Sequence, residues 1–298
     1  MVETVSGERK VLAEGFGLTE APRWRGDRLY FSDIQGHKVC TVDLTGKLET
    51  VVEFDTPCSG LGWLPNGDLL VTRMQEKKVV RVSGGKVSDH ADVARFADGD
   101  INDMIVDAAG RAYVTQLGPL PVAGDRTPRF TRIITVEPDG TARVGAEQVR
   151  GPNGIAITPD GRTLIFSEAA ASRMGALDIA PNGDLSNLRV AAETPPGTCP
   201  DGMCLDAQGG IWAALVVEIG PPMLPGPGFV RYDAQGKQTH LIALEEGRHA
   251  VACAFGGPDR KTLFLCTSAV VWGDGVAAAR SARIETIAVP GFSGGGAP

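Results

Sequence analysis

The chain has 298 residues, 39 of them glycine and 20 proline, with 43% hydrophobic side chains and a formal net charge of −7. That is enough apolar content for a sizeable core, and the turn-rich composition stops short of low complexity. No apolar run approaches the ~20 residues of a membrane span, and scattered Lys and Arg under a net acidic charge give no field to hold a phosphate backbone, so membrane and nucleic-acid partners are not expected. Glu3, Glu8, Arg9 and Lys10 occupy the stretch where a secretory leader would be apolar, which reads as a cytoplasmic protein.

From the N-terminus, KVLAEGF (10–16) reads as a strand, and a turn followed by an apolar strand then recurs along the chain. The copies are GDRLYFSD (26–33), LPNGDLLVT (64–72), DAAGRAYVT (107–115), TPDGRTLIFSE (158–168), DAQGGIWAAL (206–215) and GGPDRKTLFLCT (256–267). Further alternating segments follow them, such as HKVCTVDLTGKLETVVEF and RIITVEPDGTARVGA, as expected of hairpin-linked antiparallel strands. The last apolar residue before each turn is Trp24, Trp63, Val106, Ile157, Leu205 or Phe255, at intervals of 39, 43, 51, 48 and 50 residues. Units of ~40–50 residues with four strands each are the mark of a β-propeller. The spacing therefore predicts an all-β, six-bladed propeller formed by residues 1–298 as one domain, with helices nearly absent. ARIETIAVPG (282–291) ends the sixth unit, so strand 10–16 is expected to complete that blade, and residues 292–298 to form a loose tail.

Four residues before each register mark stand Glu20, Ser59, Asn102, Asn153, Asp201 and Val251. Equivalent positions in a circular array converge on its axis, so the five polar members are expected at one mouth of the channel. Two carboxylates facing each other there would repel unless a cation lay between them. Glu20, Asn102, Asn153 and Asp201 form an oxygen-only set suited to one divalent ion, Ca²⁺, Mg²⁺ or Mn²⁺, with Zn²⁺ and Fe²⁺ also compatible. Asp201, following Cys199-Pro200, is placed as ligand and proton acceptor and Glu20 as a plain ligand, the arrangement that opening an ester or lactone requires. Ser59 lacks a nucleophile-elbow setting and is expected to hydrogen-bond behind the ligands. His249 is the histidine with a route to the channel. Gly151, Gly154 and Gly202 are read as turn residues, and Cys204, Cys253 and Cys266 as buried small hydrophobes. The cysteines show no zinc spacing.

The segments GLTEAPRW (17–24), INDMIVDAAGRAYVT (101–115), GPNGIAITPDGRTLIFSE (151–168), CPDGMCLDAQGGIW (199–212) and ACAFGGPDRKTLFL (252–265) resemble, in order and context, those of the gluconolactonase, senescence marker protein (regucalcin) and luciferin-regenerating enzyme family. The resemblance implies a six-bladed propeller in which Glu20, Asn153 and Asp201 bind one divalent metal, Asn102 meets metal or substrate, and Asp201 is the acid–base residue. It implies a metal-dependent lactonase, a carboxylic ester hydrolase acting on a small-molecule lactone or ester. Asp103 and Asp100 are placed with Asn102 among the substrate-binding residues. Asp100 stands where sugar-lactone members often carry an arginine, and segments 117–130 and 217–229 are rich in Pro, Leu and Met, so a pocket more apolar than a sugar site is expected. Alternatives are a broader esterase or organophosphate hydrolase with the same site, a non-catalytic propeller binding a metal, ligand or partner, and a metal-free condensing enzyme like strictosidine synthase. Asn102, Asn153 and Asp201 together argue against the last.

Overall fold

The computed structural model of the chain describes residues 2–118, 129–217, 224–271, 273 and 275–296. After β1 (Glu3–Thr4) and β2 (Lys10–Phe16), the strands fall into consecutive antiparallel groups. The first blade holds β3 (Thr19–Arg25), β4 (Arg28–Asp33), β5 (Lys38–Asp43) and β6 (Leu48–Glu53), and the second β7 (Cys58–Trp63), β8 (Leu69–Arg73), β9 (Lys78–Ser83) and β10 (Lys86–Asp92). The third holds β11 (Ile101–Val106), β12 (Ala112–Gln116), β13 (Thr131–Val136) and β14 (Ala142–Val149), and the fourth β15 (Pro152–Ile157), β16 (Thr163–Glu168), β17 (Arg173–Ile179) and β18 (Leu185–Glu193). The fifth holds β19 (Thr198–Leu205), β20 (Ile211–Val217), β21 (Leu224–Tyr232) and β22 (Gln238–Ile242), and the sixth β23 (His249–Gly256), β24 (Thr262–Ser268) and β25 (Ala282–Ala288).

The arrangement is the six-bladed propeller that the repeat predicts. β2 pairs antiparallel with β25, so the N-terminal strand completes the sixth blade as expected. The repeat does not foretell β1, which pairs parallel with β22 through Glu3 and Thr4 and adds a fifth strand to blade five. One N-terminal segment thus grips two neighbouring blades. Among the described residues helix is confined to α1 (Gly275–Ala279) and two short 3-10 turns.

Apolar side chains on the blade faces meet in six clusters, one per seam between neighbouring blades. Leu70 and Val79 of blade two meet Met104 and Val114 of blade three, for example, and Met174 of blade four meets Met203 and Tyr232 of blade five. Hairpin turns are pinned by aspartates that cap their own loops: Asp107 Oδ1 accepts Ala109 N and Arg111 N, and Gly110 takes φ 87° between them.

Residues 292–296 are not a loose tail, which corrects the sequence expectation. Phe292 packs edge-on against Trp212 at 5.6 Å and His240 at 4.8 Å, with the Arg231 guanidinium 4.3 Å over its ring. Ala207 N donates to Ser293 O at 2.8 Å, Gly294 N to Arg260 O at 2.8 Å and Gly295 N to Leu205 O at 3.0 Å. The glycine run reads as flexible but here permits close approach, since a Cβ on Gly295 would fall 2.3 Å from Asp206 O. Gly296 lines a channel cavity of about 30 Å³ beside Arg23, Trp24 and Phe255.

Candidate functional site

The innermost strands β3, β7, β11, β15, β19 and β23 pack against one another in a closed circle. Each carries a register shift near its entrance, between Glu20 and Arg23, Cys58 and Leu61, Ile101 and Met104, Pro152 and Ile155, Pro200 and Met203, and Ala250 and Ala252. Such bulges twist a strand and re-aim its side chains, and the ring positions read from the sequence lie at all six. Gly154 and Gly202 follow two ring residues, and their role corrects the turn assignment. A Cβ on Gly154 would lie 2.5 Å from Asp201 O, and one on Gly202 would lie 2.3 Å from Ala252 Cβ. They let neighbouring inner strands approach. In blade one the same place is held by Ala21 with φ 48°, a left-handed conformation that costs a non-glycine residue energy. The strained residue adjoins Glu20, and its N–H donates to Glu20 Oε2 at 2.9 Å.

The second strand of each of the first four blades holds the next ring residue in place. Ser32 Oγ donates to Ser59 O, Thr72 Oγ1 to Asn102 O at 2.6 Å, Thr115 Oγ1 to Asn153 O at 2.9 Å and Ser167 Oγ to Asp201 O at 2.6 Å. These hydroxyls were missed in the sequence, although Ser or Thr recurs one residue before the end of the strand in FSD, VTR, VTQ and FSE. Blades five and six place Ala214 and Cys266 at this register and have no such latch.

With the backbone fixed, the ring side chains form one directional chain. Ser59 Oγ donates to Asn102 Oδ1 at 3.1 Å, Asn102 Nδ2 to Asn153 Oδ1 at 2.6 Å and Asn153 Nδ2 to Asp201 Oδ1 at 2.5 Å. Glu20 is the next ring member, and its carboxyl and that of Asp201 act on each other. The structure therefore brings together Glu20, Ser59, Asn102, Asn153 and Asp201, with the apolar Val251 as the gap. Ser59, Glu20 and Asn102 are buried, whereas Asn153 and Asp201 stay partly exposed and so face the entrance.

Charge here is not locally balanced. Burial, then the charges of Asp201 and Asp103, push the Glu20 carboxyl well above its ordinary value. Burial pushes Asp201 up to about 7, with Asp103 adding to the rise and the Asn153 amide opposing it. Asp103 is also raised by burial against the pull of Arg23. Asp103 does not face the entrance as expected. It is 2% exposed, and its Oδ1 accepts Arg23 Nη2 at 2.8 Å and Met104 N at 2.7 Å, which turns the carboxylate toward the channel floor. Asp100 is exposed, one residue ahead of β11. His249 is buried at the start of β23 opposite Ser268, burial lowers its pKa, and it stands outside the hydrogen-bonded chain. Residues 119–128 and 218–223 of segments 117–130 and 217–229 lie outside the described residues.

Among the described residues no three His, Cys, Asp or Glu side chains group as a metal site. The candidate set is of another kind, two carboxylates and two amides, and its chemistry fits a hard cation: oxygen donors only, with surplus negative charge in a buried place. The cysteines offer no rival site. No disulfide joins any of the six, Cys253 and Cys266 are buried with thiols pushed up by burial, and Cys204 Sγ lies 3.6 Å from Cys253 Sγ.

The family model described as SMP-30/Gluconolactonase/LRE-like region matches residues 18–269. The pentonolactonase XacC of Haloferax volcanii is 32% identical over 267 residues, covering 87% of this chain and 83% of that protein. Regucalcin of Gallus gallus is 26% identical over 275 residues, covering 90% and 86%. A solved gluconolactonase from Xanthomonas campestris superposes with a TM-score of 0.74 at 20% identity, covering 97% of this chain and 92% of its own, a likeness of fold.

Proposed function

The chain belongs to the SMP-30/gluconolactonase/LRE-like family, and from that premise we propose that it is a lactone hydrolase with Asp201 as its acid–base residue and a divalent cation, Ca²⁺ foremost, held by Glu20, Asn153, Asp201 and Asn102. The observation that carries this reading is the hydrogen-bonded chain from Ser59 through Asn102 and Asn153 to Asp201, which ends on a partly exposed carboxylate beside a second, buried one. The pentonolactonase relative supports the reaction class.

When bound, the cation supplies the positive charge that offsets an oxyanion developing on the lactone carbonyl. The rest falls to side chains. Asp201 accepts a proton from the attacking water as the new carbon–oxygen bond forms, and returns it to the ring oxygen as the acyl–oxygen bond breaks, giving the open hydroxy acid. Asn153 Nδ2 holds Asp201 Oδ1, so the carboxylate's orientation is set before substrate arrives. Glu20, deeper and buried, serves as ligand only. Asp100, exposed ahead of β11, gives the entrance a hydrogen-bond acceptor for substrate in place of a donor.

The test is a panel running from pentonolactones and hexonolactones to apolar γ- and δ-lactones, assayed after chelation and after return of Ca²⁺, Mg²⁺ or Mn²⁺. Turnover that chelation abolishes and a divalent ion restores is the expected result. Full turnover by the chelated protein would end the cation reading, and a reconstituted protein inert on every lactone would make the site a binding site alone.

A further inference from the structure

One tier below the ring, the position preceding each register mark holds Arg23, Gly62, Ile105, Ala156, Cys204 and Ala254. Five are small or apolar, four of them packed in the seams between blades, and the sixth is an arginine. Arg23 is 5% exposed and crosses from blade one to blade three, donating to Asp103 Oδ1 at 2.8 Å and Met104 O at 2.9 Å, while its Nη1 holds Pro22 O at 3.0 Å. Its Nε is buried without a hydrogen-bond partner among the described residues. A cation so placed is desolvated at considerable cost, and burying an ion pair is weak evidence of a stabilising role. The seam clusters already hold blades one and three to their neighbours through apolar contacts.

What Arg23 changes is the charge of the site. Its field reaches Glu20, and the carboxylates of Glu20, Asp103 and Asp201 act on one another in the same space. With a cation in place and all three carboxyls ionised, they and the guanidinium carry a formal charge of −2. We propose that Arg23 is a specificity-determining residue that sets this charge, so that a divalent cation neutralises the site and a trivalent one overcharges it. The inference rests on the cation reading given above and adds the residue that decides which charge the cation carries.

The test is calorimetric titration of Ca²⁺ and Tb³⁺ into the metal-free folded protein and four variants, Arg23→Met, Arg23→Lys, Asp103→Asn and Arg23→Met/Asp103→Asn, whose formal site charges are −3, −2, −1 and −2. One unit charge at this range in a partly solvated interior changes a binding constant by about tenfold or more. Arg23→Met is expected to raise the preference for Tb³⁺ over Ca²⁺ by about tenfold, while Arg23→Lys stays within about twofold of wild type. Asp103→Asn is expected to weaken Ca²⁺ by about tenfold, and the double variant to recover most of that loss. Equal preferences in Arg23→Met and Arg23→Lys would reduce Arg23 to a space-filling residue. Should Arg23→Met fail to fold, a double variant that binds Ca²⁺ no better than Asp103→Asn overturns the proposal in the same way. A wild-type protein that binds neither ion refutes the cation reading itself, a result read from a different sample.

Discussion

Asp201, inside β19, and Asp206, the residue that follows the strand, differ in how their charge is met. Asp206 is fully buried and saturated: Oδ1 accepts Gln208 N at 3.0 Å and Gly210 N at 2.8 Å, and Oδ2 accepts Trp212 Nε1 at 3.0 Å and Arg231 Nε at 2.6 Å. Asp201 Oδ1 has the Asn153 amide as its side-chain donor, and the carboxyls of Glu20 and Asp103 act on it. A buried carboxylate with every lone pair matched holds a fold together. One left among like charges is held ready for a cation or a proton, and the fold bears its cost.

Exchanging each aspartate for asparagine breaks the comparison most directly. Asp201→Asn is expected to lower kcat for lactone opening by ~10²–10⁴, the range of an acid–base residue, while the metal-free protein melts no lower than wild type. Asp206→Asn should do the reverse, costing ~3–5 kcal/mol in denaturant unfolding by stranding Arg231, with turnover per folded molecule within about twofold of wild type. If both variants lost activity alike, the two aspartates would not be distinct in role.

Acidity sharpens the same contrast. Asp201, at about 7 in the folded protein, holds its proton longer than an unfolded aspartate at 3.8. Its contribution to metal-free stability is therefore fully present below about pH 4 and lost as pH rises toward 7. Calorimetric melting of the chelated protein should show Tm falling across that window, with a shallower fall in Asp201→Asn. Parallel slopes would mean that Asp201 is not strained in the cation-free site.

The C-terminal segment gives smaller effects. Ending the chain at residue 290 removes Phe292 from Trp212, His240 and Arg231, and should cost ~1–3 kcal/mol in urea unfolding without changing kcat. A truncated protein with altered KM would show that the tail reaches the site through the channel. The smallest change is Ala21→Gly, which relieves a left-handed alanine and should move stability by less than about 1 kcal/mol in either direction, since glycine also loosens the unfolded chain.

The blade count, the N-terminal closure and the ring were legible because repetition turns one structural position into six sequence positions that can be compared. Features that do not repeat were hidden. β1 has two residues and pairs through its backbone, so it leaves no pattern. The tail is rich in glycine, which signals freedom when counted and close approach only when its neighbours are known. The sequence register reached Asp103 and placed it at the substrate, but which way a side chain leaves a bulge depends on the partner across the axis, here Arg23, 80 residues away. Arg23 itself could have been noticed as the charged member of a tier that is otherwise small or apolar.

The pairing of β2 with β25 also has a consequence in time. Lys10 meets Thr286 and Phe16 meets Ala282, so the ring cannot close until nearly the whole chain exists. At roughly 5–20 residues per second on the ribosome, β2 waits about 15–55 s for its neighbour. Through that interval it is an unpaired edge, the kind of surface that recruits other chains. Lys10 and Glu14 are exposed along the strand, and charges on an edge are a known guard against such pairing. The order of synthesis thus gives those two residues a task that the finished molecule no longer displays.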